Sequence, residues 1–271
     1  MTGRDPNRDP APQRAGQATL GVGYLRMSGP YVQSAVGDYR DRTGRIITLI
    51  CCLHMAQPPY YARIRTLLTG LDVAGSVVHG EGAPLLPTPD PSDDERRVLD
   101  KMHHYRDMER QVLARRGWVG RYDALTYHPR WQIVDLSLLD VIRRAGLLAT
   151  EQYADRLVAT YTTALSCREA TTLLWQMEDN VLRAACTTPH PGVGHSILSD
   201  VVVRQRAQTA LDAIASTNRD LVLLWGPAQM PDLHAGLDAQ GFTLIREQGW
   251  LTAARLALAL PPATGATGGP A

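Results

Sequence analysis

Short apolar runs rich in β-branched residues alternate along this chain with longer segments in which apolar residues recur at helical spacing. Residues 18–26 and 45–53 are two β-prone runs separated by a segment rich in glycine and aspartate, which predicts a pair of strands. Helical spacing predicts a helix over 59–69, and 76–79 has the pattern of the next strand. A strand, a helix and a strand in this order predict a crossover unit.

The remainder of the chain is mostly helical in pattern. Ser92 followed by Glu95 is a capping box that opens a helix over 93–116, and Ser137 is placed to cap a helix over 138–144. Helices are also predicted at 151–166, 169–185, 197–216 and 230–240, and strands at 220–225, 242–246 and 251–258. This alternation predicts an α/β (α+β) protein with mixed β-sheets flanked by helices.

Both ends of the chain differ in composition from its middle. Residues 1–17 are rich in Arg, Asp and Pro without apolar periodicity, and 261–271 contain Pro, Ala, Thr and Gly. Segments of this kind do not bury enough apolar surface to fold. We therefore predict two disordered tails that flank a single domain over 18–260.

Composition excludes several classes of function. The 271 residues carry a net charge of only +1 with the basic residues scattered, which argues against a nucleic-acid partner. No apolar run approaches the roughly 20 residues that span a membrane, and no signal peptide opens the chain. We therefore predict a cytoplasmic protein without membrane contacts. The sequence contains neither a Gly-rich phosphate loop nor a Gly-x-Ser-x-Gly elbow, so neither a nucleotide cofactor nor a serine nucleophile is predicted.

The best candidates for chemistry are His54 and Glu81, which follow the two strands of the predicted crossover unit. Ligand groups in α/β sheets gather outside the carboxyl ends of strands, so the two side chains are expected to face one pocket. An imidazole beside a carboxylate can transfer protons near neutral pH. The alternative is equally open: a histidine at a strand end is often structural, and Gly80-Glu81-Gly82 also suits a simple turn.

Two separated blocks of sequence carry a family resemblance. The first runs Leu49-Ile-Cys-Cys-Leu-His54, then Tyr60-Tyr-Ala-Arg-Ile-Arg-Thr-Leu-Leu68 and Glu81; the second runs Leu221-Val-Leu-Leu-Trp-Gly226-Pro-Ala-Gln-Met-Pro-Asp-Leu233, then Gly241-Phe242. Together they resemble the TraB/Tiki-like family of the erythromycin-esterase/ChaN-like group. The resemblance implies that architecture, two Gly-x-x-His motifs, a glutamate after the second strand, and an arginine that corresponds to Arg206.

The chain departs from this family pattern at two positions. Cys51 replaces the glycine of the first motif although His54 is kept, and Gln229 replaces the histidine of the second motif although Gly226 is kept. The resemblance implies a metal-dependent peptidase, but an amide oxygen is a far weaker zinc ligand than an imidazole. A divalent metal held by His54 and Glu81 therefore stays open, and no metal site is predicted.

Other polar residues are assigned to substrate binding or to the surface. Arg206 and Gln229 are predicted to bind substrate, together with His195 in the loop Gly192-Val-Gly-His195 and His128 beside Trp131. Each of these side chains has a structural alternative, as an exposed ion pair, a loop residue or a core contact. His103, His104 and Glu109 are predicted to lie on a solvated helix face.

The resulting functional hypothesis is an enzyme that acts on a peptide or a related amide or ester by His/Glu acid-base chemistry. Hydrolysis and the isomerisation or cyclisation of a peptide natural product use the same pair of groups, so both stay open. The alternative from another class is a catalytically degenerate family member that binds a peptide or a partner protein. Loss of the second histidine is what such a binding protein would show.

Overall fold

A computed structural model describes residues 23–82, 90–126, 128–187 and 196–256. The strands are β1 (Leu25–Ser28), β2 (Tyr31–Arg40), β3 (Ile46–Cys51), β4 (Met55–Ala56), β5 (Val77–Gly80), β6 (Val119–Gly120), β7 (Gln132–Ile133), β8 (Leu221–Trp225) and β9 (Thr243–Arg255). The helices are α1 (Pro58–Val73), α2 (Asp93–Arg116), α3 (Arg121–Ala124), α4 (Leu138–Ala145), α5 (Leu147–Ser166), α6 (Arg168–Thr187), α7 (Ile197–Asp200), α8 (Arg206–Ala215) and α9 (Met230–Ala239). The predicted tails, 1–17 and 261–271, lie outside these ranges, and the single domain stays a prediction.

The main sheet is mixed. Its order in the described part of the chain is β1-β2-β3-β8-β5-β7, and β9 also pairs with β2. Strands β3, β8, β5 and β7 are parallel, whereas β1, β3 and β9 each pair antiparallel with β2. A second small sheet joins β4 to β6. The prediction of an α/β protein with a mixed sheet and flanking helices is therefore confirmed at this level.

Strand β2 corrects the predicted pairing of the first two β-prone runs. β3 has β2 as its antiparallel neighbour, and β1 also pairs with β2. Two of the inward positions of β2 are polar, which hid the alternation from the sequence pattern. Ser34 shares a hydrogen bond of 2.9 Å with the Tyr60 hydroxyl, and Asp38 accepts a 2.7 Å bond from Thr48, so both polar groups have buried partners.

The predicted final pair of strands is one strand instead. β9 runs without a break from Thr243 to Arg255 and pairs along β2 with three register shifts. Gly249 has a φ of +135°, a conformation that favours glycine, and it lies opposite Val36 at one of these irregular points. These bulges change which residues face the core, so the alternating pattern is interrupted although the strand continues.

The crossover unit exists, but β8 lies between its two strands. β3 and β5 are both parallel neighbours of β8, with Cys51 opposite Trp225 and Gly80 opposite Leu224. The carboxyl ends of the three strands therefore meet at one edge of the sheet. We call this the carboxyl edge. Such an edge is where α/β proteins commonly place ligand groups.

The predicted helices form close to their expected bounds, and both predicted caps are present. Ser92 and Glu95 form a complete capping box at α2, and Ser137 forms one with Asp140 at α4. The segment predicted as one helix over 197–216 contains π-helical turns at Val201–Gln205 between α7 and α8. Such π segments are rare and occur frequently at functional sites. Within the described residues, no helix is both long and apolar enough to cross a membrane.

Candidate functional site

Glu81 lies at the carboxyl edge, directly after β5, and its side chain is buried. Its backbone amide donates to the Leu224 carbonyl at 3.1 Å, which fixes it against β8. Oε2 accepts hydrogen bonds from Arg121 Nη1 at 2.6 Å and from the Gly226 amide at 2.8 Å, and Oε1 accepts one from Arg206 Nη2 at 2.8 Å. The carboxylate is thus bound by two guanidinium groups and one backbone amide.

Asp135 is the second buried carboxylate of this site. Arg206 donates to it twice, from Nε at 2.8 Å and from Nη2 at 2.5 Å, in the forked geometry typical of arginine. The backbone amides of Gly82 and Leu136 donate to the same carboxylate at 2.9 Å and 2.7 Å. We refer to Glu81, Arg121, Asp135 and Arg206 as the Glu81 cluster, whose two acids and two bases balance in formal charge.

The electrostatics of the cluster keep Glu81 ionised. Burial raises the pKa of this carboxyl group, but the charges of Arg121 and Arg206 outweigh burial and hold the pKa well below its usual range. The pKa of Arg121 is raised well above its usual range, because Glu81 and Tyr122 outweigh the opposing effect of burial. Burial raises the pKa of Asp135 despite its contact with Arg206. Glu81 is therefore an acceptor of hydrogen bonds near neutral pH, and it has no proton to donate.

Arg121 was not predicted as a site residue. It is the first residue of α3 and is almost completely buried, and its amide donates to the His54 carbonyl at 2.8 Å. Among the residues that the structure describes, its Nε atom has no hydrogen-bond partner. Arg121 and Asp135 both lie outside the strongly periodic segments, so periodicity did not mark them. The one usable signal was Asp135 itself, a charged residue between Val134 and Leu136 just before a capped helix.

Gln229 and Arg206 are both tied to the π segment. Gln229 is buried, and its Nε2 donates to the Val202 carbonyl within that segment at 2.9 Å. Arg206 begins α8 immediately after the segment, so the π turns set the direction from which its side chain reaches Glu81. A Cβ atom on Gly226 would lie 3.0 Å from Gln229 Oε1 and 3.3 Å from Glu81 Oε2. The structure therefore brings Glu81, Arg206 and Gln229 together around Gly226.

His54 lies beyond the end of β3, but its imidazole contacts a different carboxylate. The side chain is 45% exposed, and Nε2 lies 3.6 Å from Glu109 Oε2. Glu109 is buried on α2 and accepts a 2.5 Å hydrogen bond from the Tyr105 hydroxyl. Burial raises the pKa of Glu109, but its contact with His54 and the bond from Tyr105 outweigh burial and lower it. We call His54 and Glu109 the His54 dyad.

The prediction that Glu109 lies on a solvated helix face was wrong, whereas the same prediction for His103 and His104 is confirmed. His103 and His104 are exposed on α2, as expected, but Glu109 faces inward. Spacing along the sequence did not show that the fold places His54, which follows β3, against this face of α2. The carboxylate that contacts His54 is consequently Glu109, and Glu81 has the partners described above.

Tyr122 links the dyad to the Glu81 cluster. Its ring meets the His54 ring edge to face at 5.6 Å between centroids. Its hydroxyl accepts a 2.8 Å hydrogen bond from Arg121 Nη2, and the Arg106 guanidinium lies 5.1 Å from the ring centroid. Because the Tyr122 hydroxyl oxygen accepts this bond, the hydroxyl can donate its own hydrogen to another acceptor. A series of contacts thus connects Glu109 to Asp135, in which every link is polar except the ring contact between His54 and Tyr122.

The other two predicted histidines are not part of this arrangement. His128 is exposed and accepts a bond from the Arg130 amide, and the Arg130 side chain contacts Asp72 near the end of α1. That end of α1 leads to the amino end of β5, whereas Glu81 follows its carboxyl end, so His128 lies away from Glu81. His195 lies outside the described residues.

The described side chains do not fit a metal ion. No group of three or more His, Cys, Asp or Glu side chains is placed to hold a metal within these residues. Each oxygen of Glu81 already receives an arginine hydrogen bond, and the imidazole of His54 is directed to Glu109. No step is therefore assigned to a metal here.

Comparisons with known proteins find no relative of this chain. No family model matches it, and neither the curated proteins nor the solved structures contain a significant match.

Proposed function

We propose that this chain is an acid-base enzyme of TraB/Tiki-like, erythromycin-esterase-like architecture that acts on a peptide or a related amide or ester. The observation that supports the proposal is the His54 dyad, in which a solvent-accessible imidazole lies 3.6 Å from a buried, ionised carboxylate. A carboxylate behind an imidazole orients the ring and stabilises the cation that forms when the ring accepts a proton. His54 is therefore assigned as the proton-transferring group and Glu109 as the residue that positions it.

The proposed reaction is hydrolysis. His54 removes a proton from a water molecule, and the resulting nucleophile adds to the carbonyl carbon of the substrate. The Tyr122 hydroxyl, whose oxygen accepts from Arg121, donates its own hydrogen to the carbonyl oxygen as negative charge develops there. The imidazolium then returns its proton to the leaving amine or alcohol, so that one water is consumed for each bond cleaved and His54 is regenerated.

The Glu81 cluster is assigned to positioning. Glu81 fixes Arg121 and, through it, the hydroxyl of Tyr122, while Asp135 fixes Arg206. A paired network of this kind holds its members in one geometry, since any departure would leave a buried charge without its partner. This assignment differs from direct proton transfer by Glu81, because an acid with a strongly lowered pKa stays deprotonated during turnover.

The experiment is a turnover screen with matched histidine variants. A panel of peptides, N-acyl amides and carboxylic esters is incubated with the protein, and the products are identified by mass spectrometry. We expect His54→Ala to lower kcat by about 100-fold or more and Glu109→Gln to lower it by a smaller factor. His104→Ala is the control, since His104 is exposed on the same helix as Glu109. Full activity in His54→Ala would contradict the proposal, and products that gain no water would indicate isomerisation or cyclisation.

A binding protein without turnover is the second candidate, and Gln229 favours it. Its amide makes a structural bond to Val202 at the position where the family motif has a histidine. A binding role predicts no turnover with any substrate class. It also predicts that His54→Ala leaves the affinity for a captured peptide unchanged.

A further inference from the structure

Arg106 lies on α2 beside the His54 dyad, and its side chain is half-buried. Its guanidinium carbon lies over the Tyr122 ring, 5.1 Å from the ring centroid. The His54 ring contacts the same tyrosine, with 5.6 Å between the two centroids. The distance from the guanidinium to the imidazole therefore cannot exceed these two distances together. Tyr122 thus places a cationic side chain next to the proposed proton-transferring group.

Arg106 differs from every other arginine of α2 in its hydrogen bonds. It makes no hydrogen bond and no ion pair with any residue that the structure describes. The others each donate to a side chain: Arg96 to Asp93, Arg97 to Asp94 and Glu151, Arg110 to Asp107 and Asp123, Arg115 to Thr171, and Arg116 to Asp179. A cation over an aromatic ring still needs acceptors for its N–H groups.

The acidic side chains that follow Arg106 on the helix are engaged elsewhere. Asp107 binds Arg110 at 2.7 Å, and Glu109 contacts His54. Burial raises the pKa of Glu109, the contact with His54 lowers it, and the charge of Arg106 is a smaller lowering influence. Arg106 therefore acts on Glu109 as a nearby charge and leaves its own hydrogen-bond donors for a ligand.

The arginine that the sequence predicted to bind substrate is occupied. Arg206 donates from Nε and Nη2 to Asp135 and Glu81. Arg121, which also contacts Tyr122, donates to Glu81 and to the tyrosine hydroxyl. Of these three arginines, Arg106 is the one without an anion.

We propose that Arg106 binds a carboxylate of the substrate, so that this chain acts on peptides or N-acyl amino acids with a carboxylate close to the scissile bond. Arginine pairs with a carboxylate through two parallel hydrogen bonds, which fix orientation as well as position. An extended chain advances about 3.3–3.6 Å per residue, so the limit set by Tyr122 puts the carboxylate within about three residues of the reacting carbonyl. The identity of that bond rests on the proposed function, whereas the carboxylate contact can be tested without turnover.

A peptide has two sources of carboxylate, its carboxyl terminus and an acidic side chain. Two pairs of probes separate them: N-acetyl-alanyl-alanine with its carboxamide, and N-acetyl-aspartyl-alanine amide with its asparaginyl counterpart. The members of each pair differ by one charge and have nearly the same shape. Isothermal titration calorimetry measures their binding to His54→Ala, a background that removes the proposed proton transfer and keeps Arg106.

Variants of Arg106 in this background test the contact. We expect the acid of at least one pair to bind about tenfold or more tightly than its amide, and Arg106→Met to abolish that preference. Arg106→Lys should restore part of it, because the charge returns without the fork. Arg110→Met is the matched control and should keep the preference, since Arg110 lies one turn along the same helix and is already paired with Asp107 and Asp123.

The ratio between acid and amide separates a binding contact from a structural one, because damage to the fold weakens both members of a pair equally. Absence of binding by all four probes would overturn the inference. An acid preference that survives in Arg106→Met, or that falls equally in Arg106→Met and Arg110→Met, would also overturn it.

Turnover by the chain with His54 intact distinguishes this inference from the proposed function. If probes are hydrolysed and Arg106→Met lowers kcat/KM equally for acid and amide, the carboxylate contact is wrong and the proposed function stands. If the preference in binding depends on Arg106 but no probe is hydrolysed, the contact stands and the result counts against hydrolysis.

Discussion

Glu81 and Arg206 are 125 positions apart in the chain, yet their charged groups are joined by a 2.8 Å hydrogen bond at the carboxyl edge of the sheet. The same arginine holds Asp135 with two further bonds. Arg206 begins α8 directly after the π segment, so these bonds connect that segment to the carboxyl edge of the main sheet.

Removal of the Glu81 charge should destabilise the fold strongly. Glu81→Gln leaves Arg121 and Arg206 buried without their shared anion, and loss of one partner of a buried ion pair costs about 3–5 kcal/mol. Urea unfolding monitored by circular dichroism measures this loss. A double-mutant cycle with Arg206→Met isolates the coupling between the two residues. A loss below about 1 kcal/mol would show that the cluster contributes little net stability.

The contribution of Glu81 should depend on pH in one direction. Its folded pKa lies below the ordinary value of 4.5, so its stabilising effect is complete above pH 4.5 and is lost as the pH falls through the folded pKa. The difference in unfolding free energy between the wild type and Glu81→Gln should therefore be constant near neutral pH and shrink in acid. A difference that grew on acidification would have the wrong sign.

The His54 dyad makes a prediction about Glu109 that requires no substrate. The contact with His54 helps to keep the pKa of Glu109 low, in opposition to burial. His54→Ala should therefore raise the pKa of Glu109, which a carboxyl carbon-13 titration by NMR measures. His104→Ala should leave that pKa unchanged. If both variants gave the same value, His54 would not be the residue that stabilises the Glu109 carboxylate.

Gly226 should resist even the smallest side chain. Its φ of −69° is ordinary, so the obstacle is steric: a Cβ atom would meet Gln229 Oε1 at 3.0 Å and Glu81 Oε2 at 3.3 Å. We expect Gly226→Ala to lower stability by about 1–3 kcal/mol and to displace the carboxylate of Glu81. Thermal unfolding and a crystal structure of the variant give the two readouts.

Gly70→Ala is the control for that substitution. Gly70 is exposed within α1, and a Cβ atom there would meet nothing within 4 Å. Alanine should therefore stabilise the helix by roughly 0.5–1 kcal/mol. Similar effects of the two substitutions would mean that the space around Gly226 is not restricted.

Local rules predicted the elements well where the signal was local. The capping boxes at Ser92 and Ser137 and the helical spacing of α1, α5 and α6 depend on residues a few positions apart, so the sequence contains all of the necessary information. β2 was missed because Ser34 and Asp38 occupy inward positions. Their partners Tyr60 and Thr48 become visible only when the strands and α1 are packed.

The helices with clear caps, the mixed α/β class and the position of Glu81 after a strand can all be predicted from the order of residues along the chain. The partners of the candidate groups cannot, because they depend on how the elements pack. The tertiary structure inserted β8 between β3 and β5, brought Arg121 and Asp135 to Glu81, and gave His54 the carboxylate of Glu109. Secondary structure arises from interactions between near neighbours, whereas the charge state of a buried group depends on side chains that the fold delivers from distant segments.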